Sequence, residues 1–314
     1  MGRPPHTTRT PPQVWEKGHL AEPRQHNSGG QTASKEVMRR ASKLPVTLTI
    51  VSVICLSLSA IATAQETGNL PEAPSQVGPA LKHKDAPYRR VTSWSRLPKD
   101  FLHDQKGIWV VFPGQLAQGR HWTPTLAVTG ITAGLLVADP HVMPYFGNHQ
   151  RNLDDINDVF NSYLTTAEVI AVPASLMVAG YARHDDYQVD TAMLAGEAYA
   201  DSAVVDLAIK AVTRRKRPSA VAPGAPYNDT FFAGGQSPFK GSSFPSGHAA
   251  GVFSVATVVA TRYKHHRWVP ILAYGFATAI SFSRVTTASH FPSDVFLGAA
   301  LGYSITRYQV LIPR

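Results

Sequence analysis

The sequence predicts an all-α fold, a bundle of six helices, on three observations. Six apolar segments rich in Ala, Val, Gly and Leu run over about 123–138, 165–182, 191–213, 247–263, 268–283 and 294–311. Each is long enough for four or five helical turns, and none has the strict two-residue alternation of a half-buried strand. Charged residues make up only 16% of the chain against 44% hydrophobic, where a soluble domain carries roughly 25% charged. That deficit points to large buried helical surfaces or to contact with lipid. No internal repeat of solenoid length is visible.

The N-terminal part precedes the bundle and reads differently. Met38-Arg39-Arg40-Ala41-Ser42-Lys43 is a short basic stretch, Leu44 to Ile61 is almost wholly apolar, and Ala62-Thr63-Ala64 offers a small-x-small site before Gln65. This is the layout of a secretory signal over residues 38–64, with an uncleaved membrane anchor as the alternative. Such a signal is expected at the start of a chain, so Met38 is the expected start. Residues 1–37 are then a mis-called or disordered extension. Residues 65–100, with NLPEAPSQVGPALKHKDAPYRR, form a Pro- and Lys-rich irregular lead-in. From 101 to 314 the chain is expected to be one helical domain, opening with a short amphipathic helix that carries Phe101, Trp109, Phe112 and Trp122.

Charge and cysteine content exclude some functions. The formal net charge is +9, a value that invites a nucleic-acid reading. Residues 1–64 hold eight Lys/Arg against three Asp/Glu, however, and the rest of the chain holds 22 against 18. The excess thus sits largely in the targeting region, and no nucleic-acid partner is expected. Cys55, the only cysteine, lies within the apolar stretch of the signal. A cleaved chain would have neither disulfides nor thiolate metal sites.

The chemistry lies between and at the ends of the later apolar segments. KAVTRRKRP places Lys210 and Arg217 seven residues apart, two turns along one face if helical. Pro218 ends that helix, because the residue before a proline avoids the α region. In PSGH, Ser246 is a good N-cap for the apolar helix that follows. A helix start of this kind, with Gly247 letting an oxyanion approach the backbone, binds anions and sets His248 beside them. In SRVTTASHFPSD, Arg284 closes one apolar segment and His290 opens the approach to the next. Pro292 suits a first helical turn. Asp294, one turn after His290, is placed to accept a hydrogen bond from its ring, fixing the tautomer and freeing the other nitrogen for attack. Each motif alone has a bland reading: a solvated basic run through Arg214, Arg215 and Lys216, a capped helix, an interhelical loop. The five placements agree in order, in spacing and in lying at helix ends, and chance does not supply that.

K-x6-R-P, P-S-G-H and S-R-x5-H-x3-D together resemble the signature of the type 2 phosphatidic acid phosphatase superfamily. That superfamily also holds bacterial acid phosphatases and vanadium-dependent haloperoxidases. Every signature position is filled, and the match in helix order covers about residues 123–311. The resemblance implies a six-helix bundle of the acid phosphatase and vanadium haloperoxidase type. It also implies metal-independent hydrolysis of phosphate monoesters or pyrophosphates, lipid-linked ones among them. In this scheme His290 attacks phosphorus and Asp294 orients it. His248 is the acid and then the base, and Lys210, Arg217 and Arg284 hold the phosphate oxygens. Ser246 and the Gly247 N–H complete the cradle. No cofactor is expected for this route. The alternatives are a haloperoxidase, which would hold vanadate in the same cradle, and a non-catalytic envelope protein that binds phosphorylated lipids. The expected partner is a phosphorylated small molecule or lipid, in the periplasm or cell envelope. An integral membrane protein is the alternative localisation.

Four further groups stay open on sequence alone. His149 with Asp154 and Asp155 suggests a metal site or a polar loop. Glu197 and Asp201, one turn apart, suit acid–base work or structural pairing, and Asp206 suits an i,i+4 pair with Lys210. Tyr227, Phe231, Phe232 and Phe239 either line an entrance for an apolar substrate or anchor the loop 219–244.

Overall fold

The computed structural model describes residues 90–148, 157, 162–222, 224–233 and 242–313, with the isolated Gly2. The signal, most of the lead-in, His149, Asp154, Asp155 and Phe239 lie outside these residues. Among the described residues every regular element is helical. The described residues from Arg90 onward lead into α1 (Leu97–Lys106), run through a π turn at Gly107–Val111 and continue as α2 (Phe112–Ala117). The six expected segments appear as α3 (Trp122–Asn148), α4 (Ser162–Arg183), α5 (Asp186–Thr213), α6 (Gly247–Arg262), α7 (Trp268–Thr286) and α8 (Pro292–Ile305). Helices α3, α4, α5 and α7 extend the sequence-based bounds, most at α3, where Pro140 and Pro144 are carried inside the helix, whereas α6 stops one residue short and α8 gives way to a π turn at Thr306–Val310. The expected domain boundary at 101 falls within α1, and the end of the lead-in is part of the core. Arg90 is 2% exposed and bonds Glu197 of α5.

Local signals account for the helix ends. Asp185 caps α5 by accepting from the N–H groups of Tyr187 (2.9 Å) and Gln188 (3.1 Å). Two orphan donors of the first turn are thereby satisfied. At the other end Arg214 takes the left-handed conformation, φ 41°, and the chain turns away. The main core joins α4, α5, α6 and α7 through residues such as Leu176, Leu194, Val258 and Ile280.

Helices α6 and α8 run in the same direction with their backbones in contact. A Cβ on Gly298 would stand 2.3 Å from the Ser246 carbonyl oxygen, and one on Gly302 2.2 Å from that of Ala250. Only glycine permits that approach. A second cluster of Met143, Val285, Ala288 and Phe291 seals the end of the bundle where α7 passes into α8. This is the end at which the three motifs meet.

Candidate active site

Lys210, Arg217, Gly247, His248 and His290 line one cavity of about 300 Å³, together with Asp206. Three corners remote in sequence supply them: the end of α5 with the loop after it, the start of α6, and the turn between α7 and α8. Five of the eight expected site residues thus share one hollow. The cations do not reach it by the expected route. Helix α5 ends at Thr213, and Arg217 sits in extended backbone, φ −74° and ψ 151°. The loop, rather than a common helical face, returns Arg217 to the cavity that Lys210 enters. The restriction before Pro218 is as expected, but the helix has already stopped.

Within the cavity the expected i,i+4 pair exists: Lys210 Nζ donates to Asp206 Oδ2 at 2.6 Å. Gly247 packs against this pair. A Cβ there would lie 2.9 Å from Asp206 Oδ2 and 3.1 Å from Lys210 Nζ. As the first helical residue, Gly247 has no intrahelical acceptor for its N–H, and the helix start favours negative charge. Ser246 is fully buried, and its Oγ accepts from the Ala249 N–H at 3.4 Å. It is an N-cap as expected. It does not line the cavity, because its hydroxyl is used by the helix.

His290 is 1% exposed. Its Nδ1 lies 2.8 Å from the Ser243 carbonyl and 3.6 Å from Asp294 Oδ2. The carboxylate is therefore a neighbouring charge, and the carbonyl is the hydrogen-bond acceptor, contrary to the expected bond from ring to aspartate. The reason is that Asp294 is already committed. Its Oδ2 accepts from the Phe291 N–H at 2.8 Å and from the Ser243 hydroxyl, and its Oδ1 accepts from Arg215 at 2.6 Å. With Nδ1 held on a carbonyl it carries the proton, and Nε2 is the basic nitrogen left for the cavity. Burial pushes the His290 imidazole below its ordinary range. Asp294 opposes this shift, and the Arg217 and Lys210 charges add to it. Burial likewise lowers Arg217, against the pull of the Asp294 and Asp206 carboxylates. His248 and His290 face one another with ring centroids 6.4 Å apart. Arg284 is wholly buried and does not line the cavity. Its guanidinium donates to Ser283 Oγ at 3.0 Å, and its backbone carbonyl accepts from the His290 N–H at 3.0 Å.

Residues 191–313 match the family model of the PAP2 superfamily. This stretch holds all eight expected site residues. By this match the stretch is similar to the PAP2 superfamily. A lipid A 1-phosphatase of Porphyromonas gingivalis is 37% identical over 62 residues, which are 19% of this chain and 14% of that protein. The chain thus spans only a small part of that relative's length. A transmembrane PAP2 type phosphatidylglycerolphosphate phosphatase of Bacillus subtilis superposes with a TM-score of 0.35 at 18% identity, over 65% of this chain and 93% of the other.

One support of the PAP2 segment comes from outside the matched residues. Arg215, 2% exposed, reaches Asp139 Oδ2 on α3 at 2.7 Å as well as Asp294, Ser293 and Thr230. Asp139 in turn accepts from the Ser293 N–H at 3.2 Å and from its hydroxyl. The guanidinium also lies over the ring of Phe291 at 3.7 Å and that of Phe231 at 4.6 Å. The reading of Arg214, Arg215 and Lys216 as a solvated run fails at Arg215. Asp139 carried a signal of its own, as the single acid in an apolar helix of 27 residues, a placement that marks a functional or paired group. Ser243 had no such signal. Tyr227 packs edge-on to Phe291, and Phe231 to Phe244, so both anchor the loop, while Phe232 is 73% exposed.

Proposed function

We propose that this protein is a membrane-associated phosphatase of the cell envelope, cleaving a phosphate monoester or pyrophosphate on an apolar carrier through a phosphohistidine at His290. The observation that carries this reading is the convergence of His290, His248, Lys210, Arg217 and the Gly247 amide on one small hollow. These are donors and cations on three sides with an imidazole nitrogen among them, a set suited to a tetrahedral oxyanion.

In the first step the His290 Nε2 lone pair forms a bond to phosphorus as the P–O ester bond breaks. The leaving oxygen takes a proton from the His248 imidazolium. In the second step a water gives a proton to His248 and attacks phosphorus, the P–N bond breaks, and inorganic phosphate and neutral His290 are released. Lys210 and Arg217 hold the equatorial oxygens, and Lys210 turns from Asp206 to the incoming phosphate. Asp294, 3.6 Å away, offsets the positive charge that His290 gains on attack. The cations neutralise the charge of the transition state, so the route requires no metal.

An apolar carrier is favoured by a second, larger cavity. It holds about 580 Å³ between α4, α6 and α7, is walled by side chains such as Val172, Val255, Val259 and Ile280, and shares Val169 with the phosphate cavity. The lipid A named for the Porphyromonas relative is a substrate of that kind. The outer faces favour a bilayer. Leu126, Ile131 and Val137 of α3, Ile170 and Val178 of α4, and Ile271 of α7 are each more than half exposed. Trp122–Gly147 is long and apolar enough to cross a membrane.

The test is release of phosphate from a panel of lipid phosphates, isoprenoid pyrophosphates and soluble esters, by the wild type and His290→Ala. A loss of about a thousandfold or more is expected for the variant, with acid-stable 32P retention absent and acid-labile 32P trapped only on the wild type. Retained turnover in the variant refutes the assignment.

A further inference from the structure

We propose that Asp104, Glu197 and Asp201 form a binding site for a hard divalent cation, calcium foremost, that fastens α1 to α5. The site is separate from the phosphate cavity, and none of its residues lines that cavity.

Glu197 and Asp201 lie one turn apart on α5, Asp104 comes from α1, and all three are buried. Each presents a carboxylate oxygen, and these oxygens lie within 4.8 Å of one another. The ordering of the two α5 side chains is already accounted for by one oxygen each. Glu197 Oε1 accepts from Arg90 at 2.8 Å, and Asp201 Oδ1 accepts from Gln105 of α1 at 2.8 Å. Their second oxygens, Glu197 Oε2 and Asp201 Oδ2, are buried without a hydrogen-bond partner. A buried carboxylate oxygen left in this state costs on the order of 1–3 kcal/mol or more, and here two belong to residues of one cluster.

Charge leads to the same place. Arg90 lies 2.8 Å from Asp100, 2.8 Å from Glu197 and 3.7 Å from Asp104. Buried carboxylates need positive charge close by, and a bound dication would add two to that of Arg90. The donors are all oxygen, which selects calcium, magnesium or manganese and disfavours zinc. Magnesium usually keeps several waters rather than a cage of protein oxygens, which puts calcium first. The Arg90 guanidinium stays on the Asp100 side, held there by Glu197 Oε1. Bound calcium would tie the segment preceding the bundle to its central helix.

The test uses the full chain, stripped with a chelator and dialysed against 45Ca2+. One calcium per chain is expected, with a rise in melting temperature of about 5 °C or more at a hundredfold excess over Kd. Glu197→Gln and Asp201→Asn should each weaken binding by about tenfold or more, while Asp229→Asn, at an exposed position, leaves it unchanged. Failure of the stripped wild type to bind stoichiometric calcium would overturn the site, as would retained binding in both variants. Should either variant fail to fold, the wild-type titration decides alone. Phosphate release is measured on the same samples. A chain that hydrolyses esters without binding calcium refutes this site only, and one that binds calcium without turnover refutes only the proposed phosphatase.

Discussion

Replacing Arg215 by Met is expected to destabilise the protein by about 3–5 kcal/mol, the range for removing one partner of a buried ion pair. The structure sets this value. Arg215 is 2% exposed, its two ion pairs are 2.7 Å to Asp139 and 2.6 Å to Asp294, and neither carboxylate has any solvent exposure. Met keeps much of the volume over Phe291, so the loss is chiefly electrostatic and leaves two carboxylates without their cation. For a domain of this size each kcal/mol moves the melting midpoint by about 2–4 °C, so a fall of roughly 6–20 °C is expected. Denaturant titration alongside Arg214→Gln measures it. Arg214 is exposed, and its loss should stay within about 0.5 kcal/mol. The same variant should lower turnover with KM little changed, because Asp294 loses the contact that holds it beside His290. If Arg215→Met costs less than about 1 kcal/mol, or no more than Arg214→Gln, the two-carboxylate anchor is wrong.

Other expectations follow from single contacts. Gly247→Ala would push a Cβ to 2.9 Å from Asp206 Oδ2 and 3.1 Å from Lys210 Nζ. Steady-state kinetics should show a fall in kcat/KM of about tenfold or more, while the melting temperature changes little. Gly302→Ala would bring a Cβ to 2.2 Å from the Ala250 carbonyl oxygen, a backbone contact that cannot yield, and should cost about 1–3 kcal/mol in a thermal or urea melt. Burial holds the His290 pKa below its ordinary value of 6.5, so the unfolded chain binds the proton more readily than the folded one. Stability should therefore fall as pH drops through 6.5 and below. Melts across pH 4.5–7.5 should show a shallower slope for His290→Gln, and an unchanged slope would contradict the buried neutral ring.

Much of this arrangement was legible in the sequence because its signals are local. Apolar runs of helical length gave all six bundle helices, and the cap chemistry at Ser246 and the first-turn proline at Pro292 placed the helix starts that frame the cavity. What escaped depends on distance. Arg214, Arg215 and Lys216 are chemically near-equivalent in sequence, and only the left-handed turn at Arg214, φ 41°, decides which of them points inward. The ring of His290 could have bonded Asp294 by spacing alone. It does not, because Arg215, Ser243 and the Phe291 amide occupy that carboxylate, and those partners come from other parts of the chain. Asp139, 155 positions before Asp294 in the sequence, was detectable only as an acid in an apolar helix. The burial of Arg90 had no local signal, since the acids it serves lie in α1 and α5.

The glycine contacts between α6 and α8 have a kinetic consequence. With backbone pressed on backbone at two levels one turn apart, neither helix can slide or roll against the other without a collision. His290, just before one helix, and His248, at the head of the other, therefore travel as a single rigid jaw. Whatever adjustment a bound ligand demands must come from the opposing side, where Arg217 rides on irregular backbone ahead of a proline.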